Sequence, residues 1–579
     1  MTRIPPGVVH PPHTRHDITR RGFMAAGMTA ALAGVVLPNR AFASVVRVPL
    51  RPDTRHTTPE MWLPDGLPSE ILREYAAVAM EAAKSAGADF ADIRLGVQRG
   101  LWVVHNPGGS VEIALQVGYG VRAWVNGTWS FQHGNVFSKD AIATAARSAV
   151  LGARTYAAVN RALPRGTTPG LPSEWASEPP VTGEWHVPVQ IDPFRVPIDD
   201  HHRALEVLTD NIAARTYKSI ELSSFQVGWA GETRVFASSA GSMVTQHTMK
   251  GLVHTWGGVE SWRHEIKVGT EPLGFSEPSL HPGGFELVLA PDLVANRMAQ
   301  IDDALLLSEL PVRSFSDMGR FPMVFDGSSM ANIIGNTINV ALDGDRVFGL
   351  EADASGTSFL SPADEILGAS KPQFSPLLSM KADRVLPSPL AVQWDDDGVV
   401  PESYSLVEQG RVVDFHTTRE TAPMMAEWYA KRGLPLRSHG CSMAKTPASM
   451  PVCGGADVHV TPSSTTATIK DLMREVKHGF MIGGVHVDVD PGLSGGTLDG
   501  RWAYRVLEIK NGVPVAHSMV TMQFVTQALL NKNLVAIGDA STVRPVIAST
   551  AKGIPWESVD QRVHAPAALC KDVDVVLRG

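Results

Sequence analysis

Three stretches of this 579-residue chain gather residue types that bind metals or move protons. In "KHGFMIGGVHVDVD", His486, Asp488 and Asp490 alternate, so an extended strand turns all three to one side. An imidazole and two carboxylates on one face suit a hard cation or a water, given further ligands. An exposed polar strand face accounts for the same pattern. In "HTMKGLVHTWGGVESWRHE", His247, His254 and His264 stand seven and ten residues apart, which fits no compact zinc helix. His264-Glu265 is followed by "IKVG", which lacks a second histidine, so strand or loop histidines are expected there. In "HGCSMAKTPASMPVC", His439 lies near Cys441. A Cys–His nucleophile also needs an orienting group and an oxyanion site, and neither is identifiable. A Cys441–Cys453 disulfide or buried thiols is the expectation; with Cys570 the count is odd, so at least one thiol is free or bonded to another chain.

A fourth stretch, "NTINVALDGDRVFGLEADASGTSFL" (336–360), reads as the back half of a helix running into a Gly/Ser/Thr-rich loop. Its end, "DASGTSFL", offers backbone donors and hydroxyls but not the lysine of a phosphate loop.

The elements that position these groups follow from periodicity. "PSEILREYAAVAMEAAKSAGA" (68–88) is predicted as an amphipathic helix, with Ser69 to cap it and Gly87 to end it. Strand, a hairpin turning at Asn126-Gly127, and a helix over "SKDAIATAARSAVLGA" come next. A helix is predicted over about 197–214 and strands to about 257. "SEPSLHPGG" reads as a linker, "FELVLAP" as a strand, and "PDLVANRMAQIDDALLL" as a helix. Then "GRFPMVFDGSSMANIIGNTINVALDGDR" runs strand then helix, and beyond Leu360 strands and turns dominate, with a hairpin at Gln409-Gly410. No long βαβ series appears, so the class is α+β without a doubly wound sheet: an amino-terminal α/β region with an antiparallel sheet, then a strand-rich region. Trp124, Trp129, Trp229 and Trp256 are read as core or seam residues, with an interface as the alternative.

At 44% hydrophobic residues and a formal charge of −8, the chain can build sizeable cores. It has no basic tract to follow a phosphate backbone, so a nucleic-acid partner is not expected. "TRRGFM" (Thr19–Met24), the apolar run behind it and "AFA" form a twin-arginine-type export signal over 1–43, cleaved after Ala43. An amino-terminal anchor is the alternative. The mature chain is expected to begin near Ser44, periplasmic or secreted, with no spanning helix. The expected organisation is an extended segment at 44–67, one domain at 68–275 and another at 284–579.

From about residue 69 onward the chain resembles the TldD/PmbA family, the modulator-of-gyrase metalloproteases. The likeness rests on "ILREYAAVAMEAAKSAGADFADIRLG", "GYGVRAWVNGTWSF", "LDGDRVFGLEADASGTSFL", "IKDLMREVKHGFMIGG", "RVLEIKNGVPV" and "VHAPAALCKDVDVVL", in that order. It implies a two-region α+β fold, peptide as ligand, and a homodimer or a mixed dimer with a relative. Peptidase members carry a His-Glu-x-x-x-His helix whose histidines bind zinc, with a late cysteine as third ligand. Those places match Gly335, Asn336, Val340 and Thr550, none of which supplies the chemistry. Asp343 matches the loop glutamate. The resemblance makes Asp343, Asp345, Arg346, Gly356, Thr357 and Ser358 a peptide-groove wall. The expectation is a peptide-binding homologue or non-catalytic subunit with no cofactor. The alternative is a metallopeptidase using zinc or another divalent ion at a displaced site, with His486, Asp488 and Asp490 as first suspects.

Overall fold

The computed structural model describes residues 68–578 except 106–109, 163–174, 214–219, 260–261, 264–265, 268–272, 276–278, 290–309, 314–317, 490–496, 519–520, 526–529 and 555. The predicted signal, its cleavage point, the 44–67 segment and the helix predicted over "PDLVANRMAQIDDALLL" lie outside the described residues.

Helix α1 (Ser69–Ser85) shows Leu72, Ala76, Ala79 and Ala83 at three- and four-residue spacing, all fully buried. Strands β1 (Phe90–His105), β2 (Ser110–Val125) and β3 (Thr128–Gly134) follow, with Asn126 (φ 50°) and Gly127 (φ 78°) forming the predicted turn. Then come α2 (Lys139–Ala162), β4 (Thr182–His186), α3 (Ile198–Ala213), β5 (Ile220–Ser238), β6 (Met243–Val259) and β7 (Ser279–Pro282). These seven strands and the short strand Leu273–Phe275 form one eight-stranded sheet whose main path is β7-β6-β5-β1-β2-β3. Strand alternation gives this sheet two unlike faces. Ile93, Leu95 and Val97 lie under α1 and α2 with Ile142, Ala146, Ala149 and Ala153; the alanines let helix and sheet approach closely. Asp92 and Arg94 point the other way and are also fully buried.

That charged face is covered by the carboxy-terminal region. Arg122 pairs with Asp92 and with Asp397, each at 2.6 Å. Arg234 contacts Asp396, and Arg94 donates to the Asp396 carbonyl at 3.3 Å. The run Asp395-Asp396-Asp397 thus fastens the second region to the first through buried charges. Removal of one partner from such a pair is costly because it strands the other.

The second region contains two larger sheets. Strands β8 (Met318–Phe325), β13 (His478–Val489), β14 (Thr497–Lys510), β16 (Thr521–Val525) and β20 (Ala568–Arg578) pair in sequence, and β8 also pairs β20, so the circuit closes. β15 (Val513–Ser518) and β17 (Leu534–Ile537) join this sheet as further strands. The second sheet has six strands in the order β11-β10-β9-β12-β19-β18. They are β9 (Met380–Asp383), β10 (Tyr404–Glu408), β11 (Arg411–Val412), β12 (Asp457–Val460), β18 (Arg544–Lys552) and β19 (Glu557–Ala565). Helix α4 (Gly327–Ile334) is capped by the Asp326 carboxylate, which accepts from the Ser329 N–H at 2.7 Å. It continues as a π-helical turn over Gly335–Asn339 and packs into the core between the sheets. A further helix, α5 (Ile469–Arg474), has a capping box from Thr468 and Asp471.

The α+β class and strand-rich second region match the expectation, but two elements differ. "SLHP" is strand β7, paired with β6, rather than linker. "FELVL" is a short 3-10 helix over Phe285–Leu289 rather than a strand. The Glu286 carboxylate accepts from the N–H groups of Gly284 (2.8 Å) and Ile191 (2.9 Å), which curls the segment. Trp229 is buried against His201 and Phe285, while Trp124 and Trp129 stack edge to face. The Trp256 side chain lies outside the described residues. Among the described residues no helix is long and apolar enough to cross a membrane.

Candidate metal centre

The positions matched to the family's zinc ligands converge where the π-helical turn packs on the β18–β19 hairpin. A Cβ on Gly335 would stand 2.7 Å from the Ala548 Cβ and 3.3 Å from Val563 Cγ2, so the backbone here lies too close for a histidine. The Asn336 amide donates back to the Asn332 carbonyl at 3.0 Å, and Val340 is buried. Thr550 on β18 has a buried hydroxyl with no hydrogen-bond partner.

Two residues beyond Thr550, Lys552 is fully buried. Its ammonium lies 2.7 Å from Asp343 Oδ2 and 2.9 Å from Asp345 Oδ1, and donates to the Cys453 carbonyl at 2.7 Å. Burial works against the Lys552 charge, but Asp343 and Asp345 outweigh it and hold the lysine protonated. Burial raises both carboxyls, and Lys552 opposes the rise. Around this knot, Asn339 contacts Gln561, and Gln561 donates to Asp343 at 2.9 Å. His416 Nε2 lies 2.9 Å from Asn339 Oδ1, and burial pushes its pKa down to about 3, so it is neutral. A protein cation and a hydrogen-bonded network therefore fill the region beside Gly335, Val340 and Thr550.

The expected groove wall is mostly interior. Asp343, Asp345, Arg346 and Ser358 are buried, and the Ser358 hydroxyl donates to the Ala341 carbonyl at 2.6 Å. Gly356 supplies a φ of 88° to the loop, and Thr357 is exposed. His486 and Asp488 lie on β13, where the ladder to β14 shifts register between them. Their side chains, and all of Asp490, lie outside the described residues. His247 is buried against Thr233, and His439 bonds to Asp414 at 3.1 Å and Tyr429 at 3.2 Å. All three cysteines are buried free thiols, so the disulfide alternative gives way to buried thiols. Burial raises the Cys441 thiol to about 12, and its sulfur meets the Tyr404 hydroxyl at 3.1 Å.

A different cluster has the chemistry of a metal site. Strand β12 runs antiparallel to β9 and parallel to β19, placing Asp457 beside Asp383 and Arg562, and His459 beside His564. Alternation turns Asp457 and His459 to the same side. His564 Nε2 stands 2.9 Å and His459 Nε2 3.9 Å from Asp457 Oδ1, and one donor atom from each of the three residues lies within 4.8 Å of the others. Tetrahedral zinc places neighbouring donors about 3.3–3.5 Å apart, which those separations bracket. The two imidazoles stack at 4.4 Å and 18°. The side chains of Asp457, His459 and His564 are 3%, 44% and 20% exposed, so the cluster has a buried base and a side open to solvent.

Whether these residues fit a metal turns on two atoms. Asp457 Oδ1 and His564 Nε2 are both buried, lie 2.9 Å apart, and are not aligned as a hydrogen bond. Two buried ligand atoms this close, paired by charge but without an aligned hydrogen bond, could both be satisfied by a cation. Burial alone would raise the Asp457 carboxyl, but His564, Ser388 and Arg562 hold it below the usual range, so it stays anionic. The Asp383 carboxylate, 3.7 Å from His459 Nε2, favours the protonated imidazole and raises His459 against its burial. The expectation that the protein needs no cofactor is corrected by this Asp457–His459–His564 cluster. "DVHV" has the same alternating pattern that singled out His486 and Asp488, but His564 lies more than a hundred residues later, and only sheet pairing joins it to the pair.

Comparison with known proteins supports the architecture. No curated protein matches the chain. TldE from Thermococcus kodakarensis superposes with a TM-score of 0.59 at 12% identity, covering 87% of this chain and 100% of its own. A putative modulator of a DNA gyrase from Thermotoga maritima gives 0.61 at 15%, with 87% and 100% coverage. A putative modulator of DNA gyrase from Bacteroides thetaiotaomicron gives 0.58 at 14%, with 87% and 98%. The chain therefore has the TldD/PmbA-like fold, and its residues 318–576 match the family model of the PmbA/TldA metallopeptidase C-terminal domain.

Proposed function

We propose that this protein is a TldD/PmbA-like metallopeptidase whose divalent ion is held by Asp457, His459 and His564 instead of by the inherited helix. The observation that carries the reading is the pair of unsatisfied buried atoms, Asp457 Oδ1 and His564 Nε2, beside the half-exposed His459. Peptide as substrate rests on the family match over 318–576. A divalent ion in such a site supplies a polarised water and a Lewis acid. Within the chain, Arg562 orients Asp457 from 3.6 Å, and Asp383, 3.7 Å from His459 Nε2, can accept a proton on the open side.

The test is metal analysis of the purified protein alongside cleavage of an unstructured peptide, with and without chelator. Metal near unit stoichiometry and chelator-sensitive cleavage, both lost in H459A/H564A, support the reading. Absence of bound metal after zinc or manganese reconstitution overturns it. A second reading, a metal-holding but non-hydrolytic peptide-binding subunit, draws support from the loss of every inherited ligand. Bound metal and saturable peptide binding without cleavage by the protein alone, with cleavage restored by a relative bearing the histidine helix, would select it. Both readings take the protein to be exported, on the strength of the signal read over 1–43, and amino-terminal sequencing of exported protein should start at Ser44.

A further inference from the structure

A second polar site lies between the two regions, independent of the metal reading. Its floor is the charged face of the amino-terminal sheet. Gln246, Thr248 and Lys250 alternate along β6, and Glu232 on β5 lies opposite Thr248. Ala230, Gly100 and Ala114 line up across β5, β1 and β2, so small residues leave room beside Lys250. The facing wall comes from Arg384, Leu390–Val392, Trp394 and Asp560 of the carboxy-terminal region. The cavity between them measures about 100 Å³, enough for a few waters or one small organic molecule.

The wall is unfinished in a particular way. The Gln246 amide donates to the Trp394 carbonyl at 2.9 Å, but its Oε1 is buried without a donor. Arg384 donates from its terminal nitrogen to the Gly440 and Ser442 carbonyls at 2.9 and 3.2 Å, and its Nε is buried without an acceptor. Among the described residues no ion pair or hydrogen bond reaches the Lys250 ammonium. Burial lowers its pKa and Arg384 repels it, while Asp560 and Glu232 act on it only through space. A half-buried lysine with no direct partner, an arginine Nε without an acceptor and an amide oxygen without a donor thus face one cavity, while Glu232 in its floor is already held by Arg234.

We propose that this cavity binds a small zwitterion of the α-amino-acid type, its carboxylate between Lys250 and Arg384 and its ammonium toward Gln246 Oε1 and Glu232. Glu232 and Asp560 in the wall disfavour a phosphate, whose charge they would repel. The volume excludes a large side chain.

The experiment is calorimetric titration of the full-length protein, with glycine and L-alanine as probes. L-Alaninamide, which lacks the carboxylate, propionate, which lacks the ammonium, and inorganic phosphate serve as comparators. Saturable binding of glycine or alanine, at least tenfold tighter than any comparator and weakened at least tenfold in K250M, is expected. Q246L should weaken the zwitterions but leave propionate unchanged. Should K250M not fold, A230L fills the floor from another strand and must also abolish binding. No binding by either amino acid, meaning water alone fills the cavity, overturns the proposal. So does equal binding of propionate or phosphate, or binding unaffected by the substitutions.

Discussion

Replacing Lys552 with methionine separates a structural knot from a vestigial metal site. Methionine approximates the lysine stem in volume, so packing changes little, but the ammonium is lost from between Asp343 and Asp345. All three residues are buried, so solvent does not screen the loss. Breaking a buried pair from one side costs about 3–5 kcal/mol. That is a large part of the roughly 5–15 kcal/mol by which domains are stable. The deficit should depend on pH. Without the lysine, burial raises the Asp343 and Asp345 pKa values in the folded state above their unfolded values, and the largest opposing influence is gone, leaving Arg346 and Gln561 at Asp343 and the Cys453 N–H at Asp345. A raised folded pKa contributes stability that is full below the unfolded value, about 4, and is lost as pH rises through the folded one. K552M should therefore be least impaired near pH 4–5 and most impaired at pH 8. Each carboxyl titrating in the window should change the deficit by about 1.4 kcal/mol per pH unit. Urea denaturation followed by tryptophan fluorescence at pH 5, 6, 7 and 8, on wild type and variant, measures this. D343N/D345N/K552M, neutral throughout, should recover stability and lose the added pH slope. A K552M deficit below about 1 kcal/mol, or one independent of pH, would refute the claim that these buried charges hold the region together.

Other outcomes follow from the same geometry. D383N removes the carboxylate that raises His459, so the pH midpoint for metal uptake, read by zinc titration, should move down; protons compete with the ion at His459, and affinity rises with pH in both proteins. D457N should lose metal outright by elemental analysis while retaining its circular dichroism spectrum. G335H, which restores one inherited ligand, should bind no additional metal and should destabilise by about 1–3 kcal/mol through overpacking against Ala548, read by thermal melting. R122M leaves Asp92 and Asp397 buried without their shared partner and should cost about 3–5 kcal/mol, with easier proteolysis between the regions as the readout.

Much of the fold was legible in the sequence because it is locally encoded. The alternation of β1, the alanine-rich face of α1 and the Asn126-Gly127 turn each carry their own signal within a few residues. "FELVL" misled because its conformation depends on Glu286 capping N–H groups almost a hundred residues away. "DDD" at 395–397 carries no local signal of its role, and only docking against Arg122, Arg234 and Arg94 makes it the joint between regions.

The sequence by itself determined that Gly335, Asn336, Val340 and Thr550, the positions the resemblance matches to zinc ligands, carry no imidazole, carboxylate or thiol. Tertiary structure decided what stands in their neighbourhood: Lys552 reaches Asp343 and Asp345 only because β18 folds back against the loop after the π-helical turn. It also decided which acids and histidines meet. Alternation within one strand can be read from spacing, but the parallel register that sets His564 beside His459 is fixed by two strands distant in the chain, through pairing and burial that no local pattern records.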